Sequence, residues 1–245
     1  MKRFYHPDTL EINQNIYLDD STAHHALQVI RVKIKERFII FNGDGFDYEV
    51  EVISIEKKRL QVNVKAKNKN HSESPIKITL VQSLSTNEKM DWIIQKATEL
   101  GINEIHPIYS IRSIIKLDAT RVEKKLAHWQ QVLISACEQS GRSIIPKIYK
   151  PTTFTKALEK NEFNKKTLKL ILTPSGQASI ENLGALNEGN IIIFIGPEGG
   201  FSEEELKLAN SYKYTSLKLG PRILRTETAP LSILSIIQFK YGDFS

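Results

Sequence analysis

The sequence predicts an α/β protein of two parts: a small β domain, then a larger domain built on a mainly parallel sheet. Three observations predict it. Up to about residue 70 the apolar residues alternate with period two. From residue 76 onward, apolar strand-like runs alternate with amphipathic helical stretches. Between them, K-N-K-N-H-S-E-S-P at 67–75 is polar, non-periodic and closed by Pro75, as a linker is. The expected domains are therefore residues 1–70 and 76–245.

Each element has its own warrant. Residues 21–29 read as one short helix capped by Ser21 or Thr22. Phe38–Phe41 is an apolar run, and N-G-D-G at 42–45 marks a hairpin, because Asn-Gly and Asp-Gly tolerate positive φ. Tyr48, Val50 and Val52 alternate with Glu49 and Glu51, and Leu60, Val62, Val64 and Ala66 with Gln61, Asn63 and Lys65, as half-buried strands do. Ile76–Leu84 reads as a strand. Glu88–Leu100 reads as a helix with Ile93, Ala97 and Leu100 on one face, and Gly101 fits the position after its end. Glu104–Tyr109 is a strand and Asp118–Ser140 a long helix stopping at Gly141. Leu168–Thr173 and Ile191–Ile195 are continuous apolar runs, as buried parallel strands are. Ser202 and Glu205 form a capping box. Ser216–Leu219 is a strand, and Thr228–Phe239 is the last helix, with Pro230 tolerated in its first turn. Repeated βα units imply a sheet covered on both faces.

Composition narrows the function. The formal charge is +6, an excess that fits a polyanionic partner without requiring one. Residues 1–70 hold twelve Lys/Arg against ten Asp/Glu, so only local clustering could make an RNA surface there. Cys137 is the sole cysteine, which rules out an intrachain disulfide and a cysteine-based zinc site. His24 and His25 are adjacent, so on a helix they diverge, and no metal is expected. M-K-R-F-Y-H lacks the apolar core of a secretion signal, and no run is long enough to span a membrane. The expectation is a soluble cytoplasmic protein.

Two glycine-rich turns carry the chemistry: I-G-P-E-G-G-F at 195–201 and L-G-P-R-I-L-R-T-E-T-A-P at 219–230. Each follows a strand-like run, and loops at neighbouring strand ends can form one pocket. Taken alone, G-P-E-G-G reads more readily as an ordinary βα turn. Neither turn is G-x-G-x-x-G and there is no G-K-[ST], which argues against dinucleotides and nucleoside triphosphates.

Five segments together resemble the bacterial 16S rRNA uridine-N3 methyltransferase family of the SPOUT superfamily. They are H-H-A-L-Q-V-I-R-V-K (24–33), K-M-D-W-I-I-Q-K-A-T-E-L-G (89–101), A-C-E-Q-S-G-R (136–142), I-G-P-E-G-G-F-S-E-E-E-L (195–206) and L-G-P-R-I-L-R-T-E-T-A (219–229). They lie in order across nearly the whole chain. One departure is Pro230, where the family more often has a small residue. The resemblance implies a PUA-like RNA-binding β-barrel followed by a trefoil-knotted α/β domain, a rare exception to unknotted chains. It implies S-adenosylmethionine as cofactor, a homodimer, and 16S rRNA, within the small ribosomal subunit, as partner.

On that basis each candidate residue has a role. Gly196, Gly199, Gly200 and Gly220 would let backbone approach the cofactor. Leu172, Leu219, Ile223 and Leu224 would wall an adenine slot, and Thr173 and Thr228 would bond ribose or backbone. Pro197, Glu198 and Ala229 complete the cofactor set within the matched segments. Uridine N3 becomes a nucleophile when it loses its proton, and a nearby cation favours that. Arg225 is the first candidate for this cation and Arg112 the second. Glu138 or Glu227 could take the proton, as could water with no dedicated base. Plainer readings are a structural Arg225–Glu227 pair and a solvated Glu138. N3 lies on the Watson–Crick edge, so the target base must be unpaired or extruded. Arg3, Arg31, Lys33 and Arg142 are the candidate RNA contacts, with Arg31, Lys33, Lys35 and Arg37 expected along one face of a strand; the plainer reading is a solubilising surface. The apolar last helix, with Leu231, Ile233, Leu234, Ile236 and Ile237, suits a dimer interface or packing on its own sheet. Two other functions stay open: another SPOUT RNA methyltransferase, for instance a ribose 2′-O enzyme on tRNA or rRNA, and a non-catalytic RNA-binding assembly protein.

Overall fold

The structure is a computed structural model and describes residues 2–29, 31–57, 59–160, 167–186 and 189–244. The chain divides into two units, Met1–Glu73 with Cys137–Ile145, and Ser74–Ala136 with Pro146–Ser245. The first unit thus takes in a segment that the sequence pattern assigned to the second.

The first unit is a five-stranded sheet. Its strands are β1 (Arg3–Tyr5), β2 (Asn15–Tyr17), β3 (Arg37–Phe41), β4 (Phe46–Glu56) and β5 (Arg59–Lys69), in the order β1-β3-β4-β5-β2. Only β1 and β3 are parallel. The alternation in β4 and β5 puts Tyr48, Val50, Val52, Leu60, Val62 and Val64 into one core with Phe4, Phe38 and Ile40. Register shifts at Glu49/Val50 and Val52/Ser54 bend the ribbon. The described strands end at β1 and β2 with no closing pair, so the expected barrel is seen as an open path. β5 runs to Lys69, through the start of the expected linker, because Asp47 and Asn68, and Phe46 and Lys69, still pair there.

Three local expectations change. Helix α1 (Asp20–His24) is capped by Asp19, whose Oδ1 accepts from Thr22 N at 3.0 Å, and it continues as a π turn over His25–Val29. Arg31 to Lys35 is not a strand face. Arg31 and Lys35 have φ of 57° and 69°, left-handed values that break any strand, and β3 starts only at Arg37. Arg3 is not an open cation either. Its guanidinium forms a two-pronged bond to Asp47 at 2.9 and 3.0 Å and reaches Ser143 Oγ at 2.7 Å. Burial would push the Asp47 carboxyl up, but bonds from Arg3, Ser143 and Asn70 outweigh it and hold the group below its ordinary value.

Among the described residues, the second unit carries a seven-stranded, wholly parallel sheet. Its strands are β6 (Lys77–Ser83), β7 (Glu104–Tyr109), β8 (Lys147–Ile148), β9 (Thr152–Thr153), β10 (Leu168–Leu172), β11 (Asn190–Ile195) and β12 (Thr215–Leu217). The order is β12-β10-β11-β6-β7-β8, with β9 also on β7. Its helices are α2 (Asn87–Glu99), α3 (Ala119–Ser140), α4 (Phe154–Lys160), α5 (Glu203–Ser211) and α6 (Thr228–Tyr241). Val81, Ile108, Ile171, Ile192 and Phe194 pack one face against Phe154, Phe201 and Tyr214. The alternate strand residues, Leu80, Ile105, Leu170 and Ile193, are buried as well, so both faces are covered. α2 ends as the glycine predicts: Gly101 has φ +81°, its N–H reaches Thr98 O, and Ile102 N reaches Ala97 O, two bonds that close the last turn. The capping box of α5 is present, with both the Ser202 and Glu205 side chains engaged. Among the described residues, no helix is long and apolar enough to cross a membrane.

Candidate functional site

The site sits where three neighbouring parallel strands end. β11, β10 and β12 run side by side, and the loops after them line one cleft of about 690 Å³. Clefts outside the carboxyl ends of parallel strands are the usual ligand sites of α/β sheets, because the loops there are free to diverge.

The first turn, after β11, is folded tightly on itself. Gly200 N donates to Pro197 O at 2.8 Å, and Gly200 adopts φ +68°. A Cβ on Gly196 would stand 3.3 Å from Gly200 and Phe201, a tight fit that the turn could take only by shifting slightly. The second turn, after β12, holds Gly220 at φ +69° with nothing within 4 Å of a built Cβ. There the need is the left-handed backbone, and the space beside it lies open on the cleft wall. Thr226 ties the two turns: its Oγ1 donates to Gly196 O at 2.8 Å and accepts from the buried Gln82 Nε2 at 3.3 Å.

The third loop, after β10, is pinned to β12. Thr173 N donates to Leu217 O at 3.0 Å, and Gly176 N to Thr173 O. A Cβ on Gly176 would lie 2.7 Å from Leu217 C, so only glycine fits there. Thr173 Oγ1 and Ser175 Oγ lie 2.9 Å apart, offering hydroxyls to the cleft.

Charge is organised across the loops. Lys89 Nζ, from α2, is 2.7 Å from Glu198 Oε1 and 3.5 Å from Glu227 Oε2. Ser85 Oγ also donates to Glu198, at 2.6 Å. Burial would raise the Glu198 carboxyl, but Lys89 and Ser85 overcome that and hold it below the ordinary value. The same contact with Glu198 raises Lys89. Arg112 Nη1 donates to Gly199 O at 2.8 Å. Arg225 is differently placed. Its side chain is 82% exposed and only 3.9 Å from Glu227, so its charge is little committed.

Of the residues singled out from the sequence, Leu172, Thr173, Gly196, Pro197, Glu198, Gly199, Leu219, Gly220, Ile223, Leu224, Ala229, Arg112 and Arg225 line the cleft. Thr228 does not; it opens α6, and its N–H bonds Arg225 O. Glu138 belongs to the first unit, where it accepts from Tyr5 N at 2.9 Å. Burial pushes its carboxyl up, with the Tyr5 bond opposing. Arg142 is buried in that unit on Glu73, at 2.6 and 2.9 Å. Arg3 and Arg142 are therefore structural pairs, while Arg31 and Lys33 stay exposed in a loop. The sequence reading missed Lys89, Ser175 and Thr226 as cleft residues. Lys89 stands in the first turn of α2, and nothing in its neighbours in sequence marks it for the cleft. Gly176 carries no pattern that could reveal it.

An RNA methyltransferase domain family matches residues 72–238, and an RNA methyltransferase PUA domain family matches residues 18–65. The chain is 36% identical over 243 residues to ribosomal RNA small subunit methyltransferase E of Buchnera aphidicola from Schizaphis graminum, covering 99% of this chain and 98% of that one. It is 33% identical to the protein of that name from Bacillus subtilis, over 89% and 87% of the two chains. A crystal structure of ribosomal RNA small subunit methyltransferase E from Neisseria gonorrhoeae, bound to S-adenosyl methionine, superposes with a TM-score of 0.93 at 37% identity over the whole of both chains. A methyltransferase from Legionella pneumophila, in complex with the same cofactor, gives 0.92 at 34% identity over 99% and 98%. The chain belongs to the ribosomal RNA small subunit methyltransferase E family of RNA methyltransferases.

Proposed function

We infer that this protein uses S-adenosylmethionine to methylate N3 of a uridine in the 16S rRNA of the small ribosomal subunit. The observation that carries the reading is the three-loop cleft with the exposed Arg225 guanidinium on its wall. The residues present fit the cofactor. Leu172, Leu219 and Leu224 offer an apolar slot beside the loop backbone, Thr173 and Ser175 bring hydroxyls, and the open space at Gly220 admits a ligand against the main chain.

When bound, the cofactor supplies a methyl group already activated on a sulfonium. The protein's task is to position it and to ready the acceptor. Arg225 favours the uracil anion by opposite charge, lowering the pKa of the N3 proton. Glu198 is a weak base, because Lys89 and Ser85 hold it ionised. Glu138 is engaged with Tyr5. Glu227, 3.5 Å from Lys89 and 3.9 Å from Arg225, and water are the two acceptors left for the N3 proton in this reading. The PUA-type unit grips RNA, the second unit adopts the trefoil knot of the superfamily, and the protein is a homodimer whose interface includes the exposed Phe239 edge of α6.

The test is methyl transfer to assembled small subunits, free rRNA and tRNA, followed by nucleoside analysis. N3-methyluridine from the small subunit or its rRNA is expected. A 2′-O-methylated nucleoside, or a tRNA product, would replace this reading. A monomer mass by light scattering at micromolar concentration would remove the dimer.

A further inference from the structure

A second cavity lies beside the methyl-transfer cleft, and its chemistry is basic. It holds about 560 Å³ and is lined by Lys116, Arg121, Lys124, Lys125 and His128, with Asn87 and the apolar edge Ile114, Ile115 and Leu117. Among the described residues no carboxylate lines it. Arg121, Lys124, Lys125 and His128 recur at helical spacing along α3, so they share one face of that helix. Arg121 and His128 each have an acidic neighbour, Asp118 and Asp91. Lys116, Lys124 and Lys125 make no ion pair among the described residues, so their charge is open to a ligand. Ile114, 88% exposed, stands at the rim.

One loop joins this groove to the cleft. In the Ser110–Asp118 segment Arg112 lines the cleft and bonds Gly199 O, and two residues on, Ile114 lines the groove. A strand held in the groove would lie one loop away from the cleft. We propose that the groove binds the sugar–phosphate backbone of the substrate RNA beside the target nucleotide. Its cations meet phosphates, and the exposed Ile114 edge meets the sugar or base of an unpaired residue. The proposal rests on the reading of the chain as an RNA methyltransferase. It supplies the open cations that Arg3 and Arg142, tied up in pairs, do not.

The experiment uses the full-length protein, a small-subunit rRNA transcript and inorganic tripolyphosphate. Lys124→Ala with Lys125→Ala removes two cations from a helix surface. Lys124→Glu with Lys125→Glu reverses them, and circular dichroism checks the fold. Rising salt in binding titrations should weaken wild-type binding more steeply than that of the alanine variant. The slope of log affinity against log salt should drop by about 1.4–1.8 for the two contacts. The charge-reversed protein should bind more weakly still. Calorimetric affinity for S-adenosylmethionine and the single-turnover rate at saturating RNA should stay at wild-type values. An unchanged slope in folded variants overturns the proposal. So does an unchanged RNA affinity with a lost dimer, which would make the groove a contact between copies. Tripolyphosphate that displaces RNA stoichiometrically would make it a small-anion site instead. If the wild type binds RNA with the expected slope but transfers no methyl group, the reaction assignment fails and the groove stands.

Discussion

Lys89 Nζ lies 2.7 Å from Glu198 Oε1, so a helix on one strand connection holds the carboxylate of the first glycine turn. The same ammonium is 3.5 Å from Glu227 at the end of the second turn. One cation therefore braces two loops that are far apart in sequence and adjacent at the strand ends.

Lys89→Met should loosen both loops without unfolding the domain. The ion pair is part-exposed, so its worth is discounted to about 1 kcal/mol. That predicts about fivefold weaker S-adenosylmethionine binding by calorimetry. Affinity equal to wild type would mean that Thr226, through Gly196 O, holds the turns unaided.

Glu138 gives the pH test. Its carboxyl is raised by burial, so the folded state disfavours the charged form. For an acid shifted upward, folding loses stability as pH rises from the unfolded value through the folded one. Glu138→Gln keeps an oxygen for Tyr5 N and removes the charge. Denaturation series should show the variant at least as stable as wild type near neutral pH, with a flatter dependence as pH rises above the ordinary carboxylate range. Its single-turnover methylation rate should match wild type. A large fall in that rate with stability intact would restore Glu138 as the proton acceptor.

The glycines separate two reasons for the same residue. At Gly176 a Cβ would meet Leu217 C at 2.7 Å and Lys218 N at 2.9 Å, and main chain cannot swing aside. Gly176→Ala should push the loop off β12, lower stability by about 3 kcal/mol, more than at Gly220, and weaken cofactor binding. At Gly220 the cost is only the left-handed backbone, about 1–2 kcal/mol, with open space for the methyl. Gly220→Ala should stay folded. Equal melting losses for the two variants would contradict this division.

Much of the fold follows from periodicity, because burial imposes it locally. The strands β6, β7, β10 and β11, the glycine ends of α2 and α3, and the Ser202–Glu205 box all rest on neighbours in sequence. The short strands β1, β2, β8 and β9 escaped notice, since two or three residues carry no period and exist only through their partners. Charged residues were the least legible. Arg3, Arg142 and Lys89 look alike as letters, yet Asp47, Glu73 and Glu198 decide what each does, and those partners lie from 44 to 109 positions away. The basic face of α3 was passed over because it sits on a helix with good apolar spacing.

The contrast between Arg225 and Arg112 gives the sharpest test of the chemistry. Both line the cleft, but Arg112 holds Gly199 O at 2.8 Å, whereas the Arg225 side chain is 82% exposed. A charge committed to the first turn supports the cofactor loop. An open charge is free to meet an anion that forms during reaction. Arg225→Ala should therefore leave cofactor affinity intact and slow single-turnover methylation at saturating RNA by about 10²-fold, the usual cost of removing one stabilising donor. On the proposed uridine-N3 reading, raising the pH should recover part of that rate, because hydroxide would remove the proton that Arg225 is proposed to help release. Arg112→Ala should do the reverse, weakening S-adenosylmethionine binding and sparing the rate once the cofactor saturates. A wild-type rate in Arg225→Ala, with Arg112→Ala slow at saturation, would exchange the two roles.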